Sequence, residues 1–273
     1  MLQEMTRAPA RLSVSVRDVR GAGELRACQD LQRKAWGITE DGYVVPVATM
    51  ASVQKVGGLV LGAFDESNQM LVGFAFAFLG KLNDRLVLWS QLTGVHPAHQ
   101  SSGVGRQLKL EQRTRANQMG LAAVAWAFDP LQASNAAFNL GVLGATARSY
   151  ELDMYGSRTD ALNVGLATDR LIVEWETSGA VGGRTSASPD APELIEMTDG
   201  ATRARDIPAG VQSLTIEVPS RISDLKARGP AAAAEWQQAL RQAFQLAFAA
   251  GYRAVGFSRE NAARPRYLLE RTT

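Results

Sequence analysis

Segments whose apolar residues recur every second position alternate along the chain with segments whose apolar residues recur every three or four. The first run, residues 12 to 16, alternates strictly and predicts a half-buried strand. Residues 23 to 36 follow with their apolar side chains on one helical face, which predicts a helix. Residues 41 to 56 contain Pro46 and fit either a loop or a short helix. The chain therefore opens as a strand followed by a helix.

Three apolar runs come next and predict an antiparallel meander. Residues 58 to 64 and 70 to 79 enclose a turn-rich stretch, and residues 85 to 95 form the third run. The pattern then predicts, in order, a helix at 104 to 119, a strand at 121 to 128, a helix at 135 to 143 and strands at 150 to 155 and 171 to 175. The order β-α-β-β-β-α-β-α-β-β predicts a mixed α/β fold.

Composition changes after this block and predicts three parts. Residues 1 to 176 form the main domain, and residues 177 to 210, rich in Gly, Ser, Ala and Pro, are typical of an exposed connector. Residues 211 to 273 show a β-α-β-β pattern that is too small to fold alone. We expect this last part to pack on the first sheet or to extend it.

Charge and cysteine content exclude several classes of function. The 273 residues carry a formal net charge of only +2, so nucleic acid is not an expected partner. One cysteine and two histidines cannot form a disulfide or a Cys/His metal cluster, and no metal is expected. No apolar run reaches the roughly 18 residues of a membrane span, and the N-terminus lacks a signal-type segment. We therefore expect a cytoplasmic protein without a membrane partner.

The segment from Gln100 to Gly105 carries the clearest chemical signal, because it joins a buried strand to the start of a helix. The first amides of a helix lack internal partners and bear part of the helix dipole, so this turn suits a phosphate anion. Gly103 and Gly105 would let a diphosphate approach the backbone, whereas Ser101 and Ser102 could cap the helix or donate to it. Alternatively, the glycines only permit a tight turn, and Ser102 is an ordinary N-cap.

Gln100, Gly103 and Gly105 fill the three places of the pyrophosphate signature Gln/Arg-x-x-Gly-x-Gly/Ala, and the sequence resembles the GNAT superfamily of acyl-CoA-dependent N-acyltransferases. The resemblance implies a mixed central sheet splayed between strands 4 and 5, with CoA lying in the splay. It also implies that the strand backbone before the loop pairs with the pantetheine arm. The expected cofactor-binding residues are Leu92, Gly94, Val95, Gln100, Ser101, Ser102, Gly103, Val104, Gly105, Arg106 and Asn135.

The same resemblance implies the transfer of an acetyl or succinyl group from acyl-CoA to the amine of a small molecule, such as an amino acid. Direct attack in a ternary complex is expected, because Cys28 lies far along the chain from the loop. The C-terminal segments resemble uncharacterised GNAT proteins with a β-α-β-β extension, some of them linked to N-succinylamino-acid racemases. A CoA-binding module without catalysis and a protein N-acetyltransferase stay open as alternatives, as does a homodimer.

The catalytic groups are not fixed by the resemblance. Many GNAT enzymes use a Glu on the fourth strand, where this chain has Trp89, Ser90 and Gln91, and a Tyr in the helix after the fifth strand, which is absent here. Asp129, directly after the fifth strand, is the preferred base, although a turn or cap role is equally expected. Tyr155, expected on the sixth strand, is a weaker prediction as the acid.

Three further residues have a functional and a structural interpretation. Tyr150 is a second tyrosine that could act as an acid, although aromatic residues in strands more often serve packing. His96 is a base by residue type, although a role in loop structure is favoured. Asn135 resembles the asparagine that opens the family's next helix and touches the cofactor, and it fits a plain N-cap equally well.

Overall fold

The computed structural model describes residues 12–156, 165–188, 190–198 and 201–272. The chain divides into two compact units, the first containing Met1–Leu79 and Ser90–Arg115 and the second Gly80–Trp89 and Ala116–Thr273. The three-part division predicted from composition remains a prediction. None of the helices in the described ranges is both long enough and apolar enough to cross a membrane.

The first unit is built on an antiparallel meander in the order β1-β2-β3-β4, with three helices. The strands are β1 (Val14–Asp18), β2 (Leu59–Asp65), β3 (Leu71–Leu82) and β4 (Arg85–Val95). The helices are α1 (Gly21–Trp36), α2 (Val47–Lys55) and α3 (Val104–Gln118). The last residues of β3 and α3 and the first half of β4 belong to the second unit. The predicted meander is confirmed.

Helices α1 and α2 pack on one face of this meander through an apolar cluster. Cys28 and Leu31 of α1 and Met50 of α2 are buried against Phe74 of β3. Trp36, the last residue of α1, contacts Phe74 edge to face with a centroid distance of 6.1 Å. The open question of residues 41 to 56 is resolved as a 3₁₀ turn at Asp41–Tyr43 followed by α2.

Helix α3 packs on the opposite face, because neighbouring residues of a strand point to opposite sides. Phe74 faces α1, whereas a Cβ on Gly73 would lie 2.7 Å from Val104 Cγ1 and 3.1 Å from Leu108 Cδ1 of α3. Only glycine lets the first two turns of α3 approach β3 this closely. Gly73 therefore fixes where α3 starts.

The second unit contains a mixed sheet in the order β4-β5-β7-β6-β11-β12-β10 and a separate hairpin of β8 and β9. The strands are β5 (Ala123–Phe128), β6 (Thr146–Glu151), β7 (Arg170–Glu176), β8 (Ile195–Thr198), β9 (Ala201–Ala204), β10 (Ser213–Glu217), β11 (Tyr252–Ser258) and β12 (Arg266–Arg271). The helices are α4 (Ala133–Ala136), which continues as a π-helix over Ala137–Leu143, α5 (Ile222–Arg228) and α6 (Pro230–Ala249).

Strands β4 and β5 form a parallel ladder in this sheet. It pairs Val87 with Ala123, Leu88 with Val124 and Trp89 with Ala125, whereas β5 continues to Phe128 and β4 to Val95. The paired segment is therefore short compared with either strand. The predicted mixed α/β class is confirmed, and the predicted order of elements is found with helix α2 added between α1 and β2.

The last three strands continue the sheet of the second unit. Strand β11 pairs with β6 through Ala254 and Ala147, and β12 lies antiparallel between β11 and β10. Helix α6 contributes Leu240 and Phe244 to the buried core. The hairpin of β8 and β9 and the helix α5 were not predicted, because their short segments carry weak periodicity.

Two predicted elements differ from the structure. Strand β6 ends at Glu151, so Tyr155 lies in the following turn and not on the sixth strand. Helix α4 begins at Ala133, so Asn135 lies inside its first turn and Gln132, not Asn135, is the N-cap. Both predicted segments lie a few residues too far along the chain, because capping residue types mark the neighbourhood of an element end and not its exact position.

The π-helical turn after α4 has an identifiable cause in the segment around Gly183. The N–H of Gly182 donates to the carbonyl of Leu143 at 3.1 Å, and the N–H of Gly183 donates to that of Gly141 at 2.9 Å. A Cβ on Gly183 would lie 1.8 Å from the carbonyl oxygen of Leu140. The carbonyls at the end of the widened helix thus accept from another segment, which requires glycine there.

We expect Gly183→Ala to lower the free energy of unfolding by at least about 2 kcal/mol, because a methyl group cannot fit without moving backbone. Gly42→Ala is the matched control, since Gly42 has an ordinary φ and open space around its Cβ position. Urea denaturation of both variants measures the difference. Equal midpoints for the two variants would contradict the close packing.

Candidate functional site

The segment between β4 and α3, residues 96 to 103, is held by local hydrogen bonds. The N–H of His96 donates to the carbonyl of Val72 at 2.8 Å, and a 3₁₀ turn follows at Pro97–His99. The Nδ1 atom of His96 accepts from the N–H of Ala98 at 3.3 Å, which fits the structural interpretation of His96. We call residues 100 to 106 the anion loop.

Two residues of the anion loop adopt left-handed backbone conformations, Ser101 with φ of 62° and Gly103 with φ of 91°. The hydroxyl of Ser102 donates to the carbonyl of His99 at 2.6 Å, so Ser102 stabilises the turn. Backbone of this kind turns successive N–H groups towards one concave side, as in anion-binding nests. The loop therefore presents N–H groups outwards.

The amides of this loop are available to a ligand. Among the residues that the structure describes, the N–H groups from Ser101 to Arg106 donate to no protein acceptor, and the first helical bond runs from Gln107 N to the carbonyl of Gly103 at 3.1 Å. Ser101, Ser102 and Gly103 are exposed. Together with the helix dipole of the 15-residue α3, this arrangement favours an anion.

The two glycines of the signature serve different purposes in the structure. Gly103 needs its positive φ, and a Cβ there would meet no atom within 4 Å. Gly105 has an ordinary φ, and a Cβ there would face Val95 Cγ2 at 3.7 Å. The role of Gly105 in letting a diphosphate approach the backbone remains a prediction.

Leu92 and Gly94, two of the expected pantetheine-binding residues of β4, have their side-chain positions directed into the core, so only their backbone is left for a cofactor. Leu92 packs into the cluster of α1 and α2, and Gly94 is buried where a Cβ would lie 3.0 Å from both Phe74 and Trp36. Glycine at position 94 is thus explained by packing. Contact between this backbone and a cofactor remains a prediction.

The regular alternation of β4 breaks between Ser90 and Leu92. Leu92 and Gly94 face α1, whereas Ser90 contacts Lys109 and Gln112 of α3 on the opposite face. Residues two apart on an undisturbed strand share a face, so the strand is irregular at this point. Val87 and Trp89 share a face, so Ser90 follows the regular alternation and the irregularity comes after it.

Ser90, Lys109 and Gln112 form a buried polar network that the sequence analysis missed. Lys109 Nζ donates to Ser90 Oγ at 2.8 Å, and Ser90 Oγ donates to Gln112 Oε1 at 2.9 Å. Lys109 and Ser90 are each only 4% exposed, and burial lowers the pKa of the Lys109 amine to about 7. The available signal was the buried stripe of α3, where Lys109 and Gln112 occupy positions beside Leu108 and Ala116.

Two buried donors near this network lack partners. Gln112 Nε2 and Thr93 Oγ1 have no hydrogen-bond partner in the part of the chain that the structure describes. Such groups are uncommon, and a buried water, strain or a functional role explains them. Thr93 lies on β4 between Ser90 and the anion loop.

The predicted catalytic carboxylate, Asp129, has both oxygens engaged. Oδ1 accepts from the N–H of Leu131 at 2.9 Å and Oδ2 accepts from Gln132 Nε2 at 3.3 Å, as in an Asx turn. Burial raises the pKa of the Asp129 carboxyl, against the opposing effect of these bonds. The structure shows the turn role of Asp129. Its role as a base remains a prediction.

Tyr155, Tyr150 and Asn135 are the other predicted site residues of the second unit. Tyr155 is 40% exposed, and the guanidinium of Arg170 lies 5.2 Å from its ring centroid. Tyr150 OH donates at 2.9 Å to Asp169, a fully buried carboxylate that also binds Arg241 through two nitrogens. Burial and this carboxylate raise the pKa of Tyr150, so Tyr150 is a poor acid.

Asn135 is exposed on α4, and its cofactor role remains a prediction.

Cys28 is fully buried, and burial raises the pKa of its thiol to about 12. A nucleophilic cysteine needs an accessible thiolate, so this environment disfavours an acyl-cysteine intermediate.

No protein-family model matches the sequence, and no curated protein matches it. Solved structures do match. The ribosomal-protein-S18-alanine N-acetyltransferase from Escherichia coli matches with 18% identity over 62% of this chain and 96% of that chain, at a TM-score of 0.47. The GNAT superfamily phosphinothricin acetyltransferase from Sinorhizobium meliloti, in complex with acetyl-CoA, matches with 17% identity over 62% and 89%, at 0.46. NAA60 from Arabidopsis thaliana, in complex with a bisubstrate analogue, matches with 11% identity over 60% and 98%, at 0.46.

We expect Lys109→Met to raise the free energy of unfolding by roughly 2 to 4 kcal/mol near pH 7, after allowance for the lost bond to Ser90. The folded protein holds the Lys109 pKa at about 7, below its unfolded value of 10.5. The buried positive charge therefore destabilises the folded state by its full amount below pH 7. The gain of the variant should shrink as pH rises from 7 towards 10.5. Urea denaturation at several pH values measures it, and a gain independent of pH would contradict the depressed pKa.

Proposed function

We propose that this chain binds an acyl-CoA at the anion loop and transfers the acyl group to the amine of a small molecule. The observation that carries the proposal is the set of outward N–H groups from Ser101 to Arg106, which have no acceptor among the described residues. They stand at the N-terminus of a long helix, directly after a buried strand. This combination suits a diphosphate, which needs several donors and positive potential at one place.

Side chains around the loop support the same ligand. Arg106 is exposed in the first turn of α3 and can pair with a phosphate oxygen. Ser101 is exposed, and its hydroxyl can donate to a second oxygen. Ser102 already donates to His99, so its part is to hold the loop open and not to contact the phosphate.

The pantetheine arm follows β4 backwards from the loop in this proposal. The residues of β4 from Ser90 to Val95 lie beyond the parallel ladder with β5, which ends at Trp89. Backbone groups of Leu92, Gly94 and Val95 would pair with the amides of the arm. Ser90 to Val95 spans about 16 Å at the rise of a strand. An extended arm of comparable length places the thioester close to Ser90.

The reaction proceeds by direct attack of the acceptor amine on the thioester, since the only cysteine is buried with a high thiol pKa. Acetyl-CoA and succinyl-CoA are the proposed donors, and an amino acid is the proposed acceptor. A protein N-terminus would use the same chemistry. A CoA-binding module is the second candidate, favoured by the Asx-turn contacts that occupy both oxygens of Asp129.

The activity is tested by the release of CoA thiol from acetyl-CoA and from succinyl-CoA against a panel of amino acids and short peptides. We expect turnover with at least one free amino acid, and its loss when the α-amine is blocked by methylation to the quaternary ammonium. Turnover only with peptides would identify a protein N-acetyltransferase. Measurable acetyl-CoA binding without turnover would support the binding module and contradict the transferase.

The site is tested by Gly103→Glu and its matched control Gly103→Ala. Both variants strain the same positive-φ position, so their difference reports the added carboxylate. We expect Gly103→Glu to bind CoA roughly 100-fold more weakly than Gly103→Ala, because a negative side chain repels the diphosphate. Calorimetry with pantetheine, which has no diphosphate, should show no such difference. Equal CoA affinities of the two variants would refute the site.

A further inference from the structure

The distance from the anion loop to the buried network of Ser90, Lys109 and Gln112 follows from the rise of α3 and of β4. Lys109 follows Gly105 by four residues, about 6 Å along the axis of α3, and its amine reaches Ser90 on β4. Ser90 itself stands about 16 Å along β4 from Val95. The network therefore lies far from the diphosphate and near the reacting end of an arm that follows β4.

Ser90 occupies the point where β4 leaves its parallel partner. Trp89 is the last residue of β4 paired with β5, and the alternation of β4 breaks directly after Ser90. Irregular strand positions of this kind are common beside active sites, where they redirect a side chain. The unpartnered Thr93 Oγ1 and Gln112 Nε2 add two buried donors on the same side.

From this geometry we infer that Lys109, acting through Ser90, accepts the proton that the acceptor amine loses during acyl transfer. The inference rests on the proposed acyltransferase function and deepens it. Lys109 takes the place of Asp129 as the group that receives this proton, because both oxygens of Asp129 are engaged in a turn.

The substrate ammonium gives one proton to Ser90 Oγ while Ser90 passes its own proton to the neutral Lys109 amine. The freed amine forms the C–N bond with the thioester carbonyl carbon, and the C–S bond breaks with the electron pair going to sulfur. The second surplus proton on nitrogen moves to the thiolate, giving an amide and CoA thiol. Lys109 then releases its proton to solvent.

The network has two hydrogen-bonding states that match this role. With Lys109 protonated, its amine donates to Ser90 Oγ and the Ser90 hydroxyl donates to Gln112, which fits the distances of 2.8 and 2.9 Å. With Lys109 neutral, its nitrogen can accept from the Ser90 hydroxyl, and Ser90 Oγ is free to accept from a substrate ammonium. A rotation of one hydroxyl connects the two states.

Burial favours the neutral form of Lys109. Burial is the cause of its lowered pKa, which lies at about 7. On α3, the neighbours on its side of the helix are Arg106 at i−3 and Arg113 at i+4, both basic. The strand segments packed under α3, residues 71 to 79 of β3 and 90 to 95 of β4, contain no titratable side chain. A proton acceptor that works near neutral pH needs such surroundings.

The test compares pH profiles of kcat for the full chain and for variants, with the acceptor found in the thiol-release assay. We expect the unaltered protein to lose activity as pH falls through about 7, because Lys109 must be neutral to accept a proton. Lys109→Met should lower kcat by about 100-fold at pH 8, abolish that limb of the profile and leave the dissociation constant of acetyl-CoA unchanged. Lys81→Met, at an exposed lysine near the end of β3, is the matched control and should behave as the unaltered protein.

Variants of Ser90 separate proton transfer from packing. Ser90→Ala should lower kcat by a similar factor, because the hydroxyl that carries the proton is lost. Ser90→Thr keeps the hydroxyl and should restore most of the activity together with the pH limb. Thermal unfolding verifies that each variant is folded.

Three results would overturn the inference. An unchanged kcat and pH limb in Lys109→Met would reject Lys109 while leaving the transferase in place. Loss of acetyl-CoA affinity in that variant without a change in kcat would make Lys109 a binding residue. A collapse of activity in Asp129→Asn with the pH limb moved to that carboxylate would return the role to Asp129. Absence of turnover in the unaltered protein would instead refute the transferase itself, and this inference with it.

Discussion

The close approach of α3 to β3 at Gly73 is the constraint on which the first unit depends. Without a Cβ at this position, Val104 and Leu108 sit directly on the strand backbone. The helix must then start immediately above the end of β4, so its first amides open outwards and not into the core. The same placement sets Lys109 one turn further down, over Ser90. One missing methyl group thus positions both the anion loop and the buried network.

The sequence predicted the anion loop well because its structure is decided locally. Gly103 supplies a left-handed conformation, and Ser102 bonds to His99 three residues away. Such features depend on neighbours along the chain, which a motif reports directly. The reason for each glycine was harder to predict. Gly94 is explained by its tight packing against Phe74 and Trp36, which only the folded chain reveals.

The buried network and the features of the second unit depend on residues distant in sequence. Ser90 looked like an unremarkable polar residue on a strand, since its partner Lys109 follows 19 residues later on another element. The π-helical turn after α4 depends on Gly183, which approaches Leu140 from a segment that looked like an open connector. Periodicity predicts which face of an element is buried, but it does not identify what that face meets.

The pairing of β6 with β11 decides which strand lies at the edge of the sheet. Ala254 of β11 pairs with Ala147 of β6, so the C-terminal strands cover what would otherwise be a bare sheet margin. Uncovered margins offer rows of backbone donors and acceptors to other chains and promote self-association. Strands β11, β12 and β10 therefore keep this edge of β6 from pairing with another chain. A shortened chain that ended after Glu176 would expose that margin.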